Sequence, residues 1–190
     1  MMSWASLILF AIVLFIPVIW VIGTYNGLVR LRSHMRESWS GIDTELKRRY
    51  DLIPNLVSVV KGYAKHEREV FERVTEARAK AVSSNGSPEH QARDENLLIE
   101  SLKRLLVVAE AYPELKAGEQ YLNLQNELVI TEDRIQAARR FYNANVRDLN
   151  IRIEIFPANI VANMFKFELG EYFQIDDAIQ RQAPVVNVNA

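Results

Sequence analysis

The sequence predicts an all-α protein in which an N-terminal transmembrane helix continues into an elongated antiparallel helical bundle with a long, kinked first helix. Three observations lead to this fold class. Residues 1–29 carry no charge, apolar residues recur at intervals of three and four along most of the remaining chain, and no convincing strand pattern appears. With 190 residues, 49% of them hydrophobic and 25% charged, the chain has the size and composition of a single globular domain.

The first element, residues 1–29, is predicted to be a membrane anchor. A helix needs about 20 apolar residues to cross the hydrocarbon core of a bilayer, and this segment is longer. Trp4 and Tyr25 would lie about 31 Å apart on a helix, which places one aromatic ring at each interface. The alternatives are a signal peptide cleaved near residues 21–23, which lacks the usual basic leading region, and a buried core helix, which would need a larger protein around it.

Basic residues directly after this segment predict its orientation. Arg30, Arg32 and Arg36 follow the span, whereas the N-terminal tail offers only its α-amino group. Loops rich in arginine and lysine stay on the cytoplasmic side, so the N-terminus is expected outside and the bundle in the cytoplasm. The same three arginines are candidate contacts for lipid headgroups. From residue 30 to residue 80 the chain holds 12 basic and 8 acidic residues, so the positive excess lies beside the anchor.

A single apolar face predicts that the next helix extends to about Ser83. The residues on this face are Leu28, Leu31, Met35, Trp39, Ile42, Leu46, Tyr50, Ile53, Val57, Val60, Phe71 and Val74. Their phase is not reset at Pro54, so we expect one helix with a kink about one turn before this proline. The alternative is a break, with Asp51 as the N-cap of a second helix.

Loop signals mark the start of the second predicted helix. Residues 83–88 form the clearest loop of the chain. Ser87, Pro88 and Glu89 then supply an N-cap, a proline at the first helical position and an acidic first turn. This helix is expected to end at about Tyr112, because Pro113 follows it.

Two further helices complete the bundle. After a turn around Gly118, apolar residues from Tyr121 to Leu149 follow a spacing close to a heptad seam, which predicts a long third helix. A short fourth helix is expected from Ala158 to Phe167. The predicted domains are therefore the anchor at 1–29, the helical bundle at 30–182 and a loose tail at 183–190.

The stretch KRRYDLIPN, residues 47–55, places three adjacent cations and a proline inside the first helix. We interpret most of this charge as a solvated face that pairs with Asp43, Glu45 or Asp51, three or four positions away. The alternative is a docking surface for a protein partner. The residues of this candidate partner-binding or kink surface are Lys47, Arg48, Arg49, Tyr50, Asp51, Pro54 and Asn55.

The residues needed for common catalytic and metal sites are missing. Cysteine is absent, and none of the three histidines follows a glutamate in the Glu-x-x-His spacing of di-iron bundles. Glycine-rich phosphate loops and nucleophile elbows are also absent. We therefore predict that the protein is not an enzyme and has no cofactor, no catalytic residue and no metal ligand. A metal-binding or enzymatic helical bundle is the less favoured alternative, with candidate inward carboxylates at Glu110, Glu114, Glu127 and Glu132.

Five stretches in order resemble the LemA family of bacterial membrane proteins, and together with the N-terminal span they cover nearly the whole chain. The stretches are LKRRYDLIPNLV (46–57), KGYAKHE (61–67), AEAYPELKA (109–117), TEDRIQAARRFYN (131–143) and FPANIVANMF (156–165). The resemblance implies a single-pass protein of the bacterial inner (cell) membrane with its N-terminus outside. It implies no accepted active site, and it suggests association with membrane proteases or stress-response proteins.

The function predicted from these observations is that of a membrane-anchored helical scaffold or adaptor that presents its bundle surface to protein partners in envelope maintenance or signalling. Its expected partners are membrane lipid, through the N-terminal helix, and other proteins, but not nucleic acid. The alternative is a structural membrane protein that forms homo-oligomers through the heptad seam at residues 124–149.

Overall fold

The structure is a computed structural model that describes residues 4–175, apart from the side chains of residues 5–12. Within this range the chain forms helices joined by turns and loops, and no strand occurs. The helices in chain order are α1 (Trp4–Tyr63), α2 (Arg68–Ser83), α3 (Pro88–Glu110), α4 (Pro113–Lys116), α5 (Glu119–Glu154) and α6 (Ala158–Met164). The predicted all-α fold is confirmed, and the expected loose tail at 183–190 lies outside the described residues.

The prediction of one helix up to Ser83 is wrong, because α1 ends at Tyr63 and α2 begins at Arg68. A turn at residues 64–67 separates them, and the Glu67 N–H donates to the Ala64 carbonyl at 3.2 Å. Ala64 is fully buried and so continues the apolar face through the turn. The periodicity therefore hides the break. The alternative break at Asp51 does not occur, since α1 is helical through residues 51–54; the kink near Pro54 stays a prediction.

The predicted start of α3 is confirmed. Pro88 is its first residue, and the Ser87 hydroxyl accepts a hydrogen bond from the His90 N–H at 3.4 Å. A serine N-cap satisfies one of the N–H groups that have no partner in the first helical turn. The hydroxyl acceptor and the proline at the first position together fix where this helix begins.

The last helix, α6, ends at Met164, three residues earlier than predicted. Lys166 adopts φ 53°, in the left-handed region, and the Phe167 N–H turns back to the Ala162 carbonyl at 2.9 Å. These are the features of a Schellman cap, which uses the final carbonyl groups of a helix and stops it. The cap directs Phe167 into the core instead of extending the helix.

The chain divides into two compact units. The first comprises Met1–Ser40 and Phe141–Glu171, and the second comprises Gly41–Arg140 and Tyr172–Ala190, each as far as the structure describes it. Because the boundaries fall inside α1 and α5, each of these helices contributes residues to both units.

The core of the first unit joins α1 to the end of α5 and to α6. Its buried residues are Leu28, Leu149, Ile153, Val161, Ala162 and Phe167, and we call this set the first core. Tyr142 in the same unit donates its hydroxyl hydrogen bond to the Glu171 carbonyl at 2.9 Å, and burial raises the pKa of Tyr142 to about 12. The segment after α6 is therefore held against α5 by a polar contact.

The N-terminal part of α1 is apolar and exposed. In the part of the chain that the structure describes, α1 is the one helix long and apolar enough to cross a membrane, with a mean hydropathy of 1.5 over its most apolar window. The side chains of residues 13–20 are all exposed, and burial begins only with the half-buried Val21 and the buried Thr24. The exposed apolar surface has the character expected of a helix surrounded by lipid.

Candidate functional site

The KRRYDLIPN stretch lies within α1 in the second unit. Part of it forms the solvated face that the sequence predicts. Lys47 forms a salt bridge with Asp43 at 2.6 Å, one helical turn away. Asp51, Pro54 and Asn55 are also exposed. The solvated-face interpretation is therefore confirmed for Lys47, and the three other residues stay candidates for a partner-binding or kink surface.

The two arginines of the stretch do not lie on the exposed face of the helix that carries Lys47. Arg48 is half-buried and pairs with Glu127 of α5 at 2.9 Å. Arg49 has no exposed surface. Successive residues are turned by about 100° around a helix, so three adjacent cations cannot all share one face. The solvated-face interpretation is wrong for Arg49, which faces the core of the second unit.

Arg49 is the centre of a buried polar cluster that connects three helices. Its Nη1 atom donates to Glu132 Oε1 of α5 at 2.8 Å, and its Nη2 atom donates to Glu95 Oε2 of α3. The neighbouring Tyr50 hydroxyl donates to the other oxygen of Glu95. Gln91 Nε2 also donates to this oxygen, at 2.7 Å. We call these five residues the Arg49 cluster.

The electrostatics of the Arg49 cluster keep its donors protonated. Burial by itself lowers the pKa of Arg49, but the carboxylates of Glu132 and Glu95 outweigh burial and hold that pKa above its ordinary value. Burial, followed by the charge of Glu95, raises the pKa of the Tyr50 hydroxyl. Arg49 therefore stays a cation and Tyr50 stays a hydrogen-bond donor at any physiological pH.

The geometry of the Arg49 cluster fits a structural role better than catalysis. Its side chains are buried, so a substrate has no route to them in the described structure. One acceptor, Glu132 Oε2, and one donor, Arg49 Nε, remain without hydrogen-bond partners, yet both are enclosed by the helices. Buried charge networks of this kind can fix the register in which helices pack, because any shift would leave a charge unpaired.

Outside the Arg49 cluster, a further buried carboxylate links α2 to α3. Asp94 is buried and lies 3.1 Å from Lys80 Nζ and 3.5 Å from the His90 ring nitrogen Nδ1. Burial alone would raise the pKa of Asp94, but the hydrogen bonds from Lys80 and Ser84 outweigh it and lower that pKa. The carboxylate is therefore ionised at neutral pH and acts as an anchor for the side chains around it.

The four carboxylates proposed for a metal-binding alternative do not converge. Glu110 and Glu114 are exposed, Glu127 is half-buried beside Arg48, and only Glu132 is buried. Glu132 pairs with Arg49, a cation, which repels a metal ion. Among residues 4–175, no group of three or more His, Asp or Glu side chains is arranged to hold a metal ion.

Two of the three candidate lipid-headgroup contacts are fully available. Arg30 and Arg36 are exposed on α1 in the first unit. Arg32 is half-buried, with its guanidinium 4.9 Å from the centre of the Phe167 ring, which is a cation–π distance. Arg30 and Arg36 therefore remain the better placed of the three for headgroup contact.

Sequence reasoning missed the partners of Arg49 because they are distant along the chain. Glu95 and Glu132 lie 46 and 83 residues away from it. One signal was available: Arg49 is followed by Tyr50, which belongs to the apolar face, so residue 49 borders that face. Glu132 lies within the stretch from Tyr121 to Leu149 whose apolar residues follow the heptad-like spacing, so the same reasoning applies to it.

Comparison with known proteins places the chain among bacterial relatives. It is 28% identical to magnetosome protein MamQ 2 of Paramagnetospirillum magneticum over 79% of this chain, and it spans only 64% of the length of that relative. Magnetosome protein MamQ of Magnetospirillum gryphiswaldense is 25% identical, with 78% of this chain and 64% of the relative covered. Protein LemA of Metamycoplasma hominis is 28% identical, with coverages of 82% and 74%.

The match to a family model covers a share of the chain similar to that of these pairwise similarities. The sequence model of the LemA family matches residues 38–188, which include the Arg49 cluster, α2 to α6 and the turns between them. This range is well over half of the 190 residues. The chain therefore belongs to the LemA family.

Proposed function

We propose that this protein is a non-enzymatic, membrane-anchored helical scaffold or adaptor whose bundle surface binds protein partners in envelope maintenance or signalling. The observation that carries the proposal is the continuity of α1. One helix of 60 residues supplies both the exposed apolar segment and, at Arg49, the centre of a buried cluster. The segment suited to lipid and the folded bundle are therefore parts of one secondary-structure element.

The surface of the second unit supports binding to proteins more than binding to a small substrate. A groove of about 640 Å³ beside the turn between α1 and α2 is open to solvent and lined by both signs of charge. Its charged residues are Lys61, Lys65, Arg68, Glu72 and Glu76. Mixed charges on an exposed groove favour a polar protein surface of complementary pattern. The names of the relatives state no activity, so the proposal depends on this geometry.

Membrane proteases and stress-response proteins are the partner classes that we propose first, and photocrosslinking tests the adaptor function. A photoreactive phenylalanine analogue replaces Lys61 in the groove, and a matched variant carries it at Lys103, an exposed lysine of α3. After irradiation of native membranes, we expect mass spectrometry to identify other proteins crosslinked from position 61 and fewer from position 103. Adducts consisting only of two copies of this chain would contradict the adaptor function and favour self-assembly.

We further propose that the protein lies in the bacterial inner membrane with the N-terminus outside and the bundle in the cytoplasm. The chain has no cysteine, so a single introduced thiol reports its own position. Asn85→Cys, in the exposed loop between α2 and α3, should resist a membrane-impermeant maleimide in intact cells and react after permeabilisation. Ser3→Cys, next to Trp4 at the predicted outer end of the anchor, is the matched control and should react in intact cells. The reverse pattern would show the opposite orientation.

A further inference from the structure

The connection between α5 and α6 exposes a run of apolar side chains. Residues 155–165, with the sequence IFPANIVANMF, include no charged residue. Phe156 is 76% exposed. The exposed large apolar residues of this run are Ile155, Phe156, Ile160, Met164 and Phe165, and we call them the apolar tip. Single exposed apolar residues are ordinary, but a contiguous group marks a surface that contacts a protein or a membrane.

α5 runs back along α1, so that the apolar tip lies at about the same position along the axis of α1 as Tyr25. A β-carbon placed on Gly170 would lie 2.7 Å from Met35 Sδ and 3.3 Å from Val146 Cγ1, so α1 and α5 pass on either side of this glycine. Further along, Leu149 and Ile153 share the first core with Leu28, which shows that α5 runs antiparallel to α1. From Val146 the remaining eight residues of α5 rise about 12 Å to Glu154, two residues before Phe156, and the ten residues of α1 between Met35 and Tyr25 rise about 15 Å.

Ring contacts made by the residues just after α6 also place the apolar tip beside Tyr25, independently of the course of α5. The Phe165 ring centre lies 4.7 Å from that of Tyr25, and the Phe167 ring centre lies 5.8 Å from it. Val21, one turn before Tyr25, also packs against the first core. The end of α5, α6 and the residues just after α6 therefore pack against α1 as far as residue 21, inside the apolar segment suited to span a membrane.

We propose that the apolar tip inserts into the interfacial layer of the lipid bilayer beside the transmembrane segment. This inference rests on the proposed anchor, because Tyr25 marks the interface only if α1 crosses the membrane. The tip has no charge to desolvate. The exposed cation Lys166 directly follows it along the chain, and the exposed cation Arg30 lies five residues after Tyr25 on α1, where anionic headgroups would meet them. The bilayer is the chosen occupant because the tip is continuous with the apolar surface of α1.

Site-specific fluorescence in vesicles tests this insertion. Single-cysteine variants of the full chain carry an environment-sensitive nitrobenzoxadiazole label and are reconstituted in vesicles of phosphatidylethanolamine and phosphatidylglycerol. Phe156→Cys and Ile160→Cys report on the tip, so a folding defect in one still leaves the other. Ile19→Cys is the control within the span, and Val107→Cys is the control in the second unit. Val107 is 66% exposed, close to the exposure of Phe156.

Labels at positions 156 and 160 are expected to emit at shorter wavelengths than the label at position 107. Lipids with a nitroxide near the headgroup should quench them, whereas aqueous iodide should quench only position 107. A tip that is quenched by iodide as strongly as position 107, while position 19 is quenched by lipid, would overturn the insertion and leave the anchor intact. If position 19 is also aqueous, the anchor itself fails. Labels at positions 156 and 160 that are protected from iodide, are not quenched by lipid nitroxides and lose this protection on dilution of the protein would overturn insertion. That result would favour contact between two copies.

Discussion

Replacing Arg49 by methionine is expected to lower the free energy of unfolding by about 3–5 kcal/mol, the usual cost of removing one partner of a buried ion pair. The guanidinium faces Glu95 and Glu132, and both carboxylates are shielded from water. Methionine fills much of the same space but leaves two buried negative charges without a cation. In the full chain in detergent micelles, circular dichroism should show the melting temperature fall by roughly 6–20 °C.

Two further variants make the Arg49 prediction specific. Lys47→Met, two residues earlier, removes an exposed cation and should change stability by no more than about 0.5 kcal/mol. Combining Arg49→Met with Glu95→Gln and Glu132→Gln removes all three charges and should recover most of the loss, because neutral amides no longer require a buried cation. An Arg49→Met protein as stable as the Lys47→Met protein would contradict the claim that Arg49 neutralises buried carboxylates in the Arg49 cluster.

The double substitution Leu14→Arg with Ile16→Arg is expected to release the protein from the membrane. Both residues are exposed on α1 and lie near the middle of the segment between Trp4 and Tyr25. An arginine at the centre of a spanning helix costs about 2.5–3.5 kcal/mol, so two should reduce insertion by on the order of a thousandfold or more. The measurement is the fraction of protein that remains in the membrane pellet after an alkaline carbonate wash.

An apolar control separates the effect of charge from the effect of substitution. Leu14→Phe with Ile16→Val keeps the segment apolar, and this variant should stay in the pellet as the unchanged protein does. Retention of the arginine variant would show that this segment is not what holds the chain in the membrane. A shortened soluble chain that begins near Thr24 would indicate a cleaved signal peptide.

Most helix positions could be predicted because they depend on local chemistry. Ser87 and Pro88 mark the start of α3 through a cap and a fixed backbone angle, both properties of neighbouring residues. The break at residues 64–67 escaped prediction because Ala64 continues the apolar face, and periodicity reports which side of a helix is buried, not whether the helix is continuous. The early end of α6 depends on a left-handed Lys166, a conformation that lysine does not signal.

In the candidate site, too, features set by neighbouring residues could be predicted and features set by helix packing could not. The sequence by itself determined the helical class, the apolar N-terminal segment and the pairing of Lys47 with a carboxylate about one turn away, because each depends on composition or on residues one turn apart; that the carboxylate is Asp43 came from the structure. Only the tertiary structure decided that Arg49 is buried between Glu95 and Glu132. Contacts across 46 and 83 residues arise when separate helices pack, and a charge is held inside a core only where that packing brings its counter-charges to it.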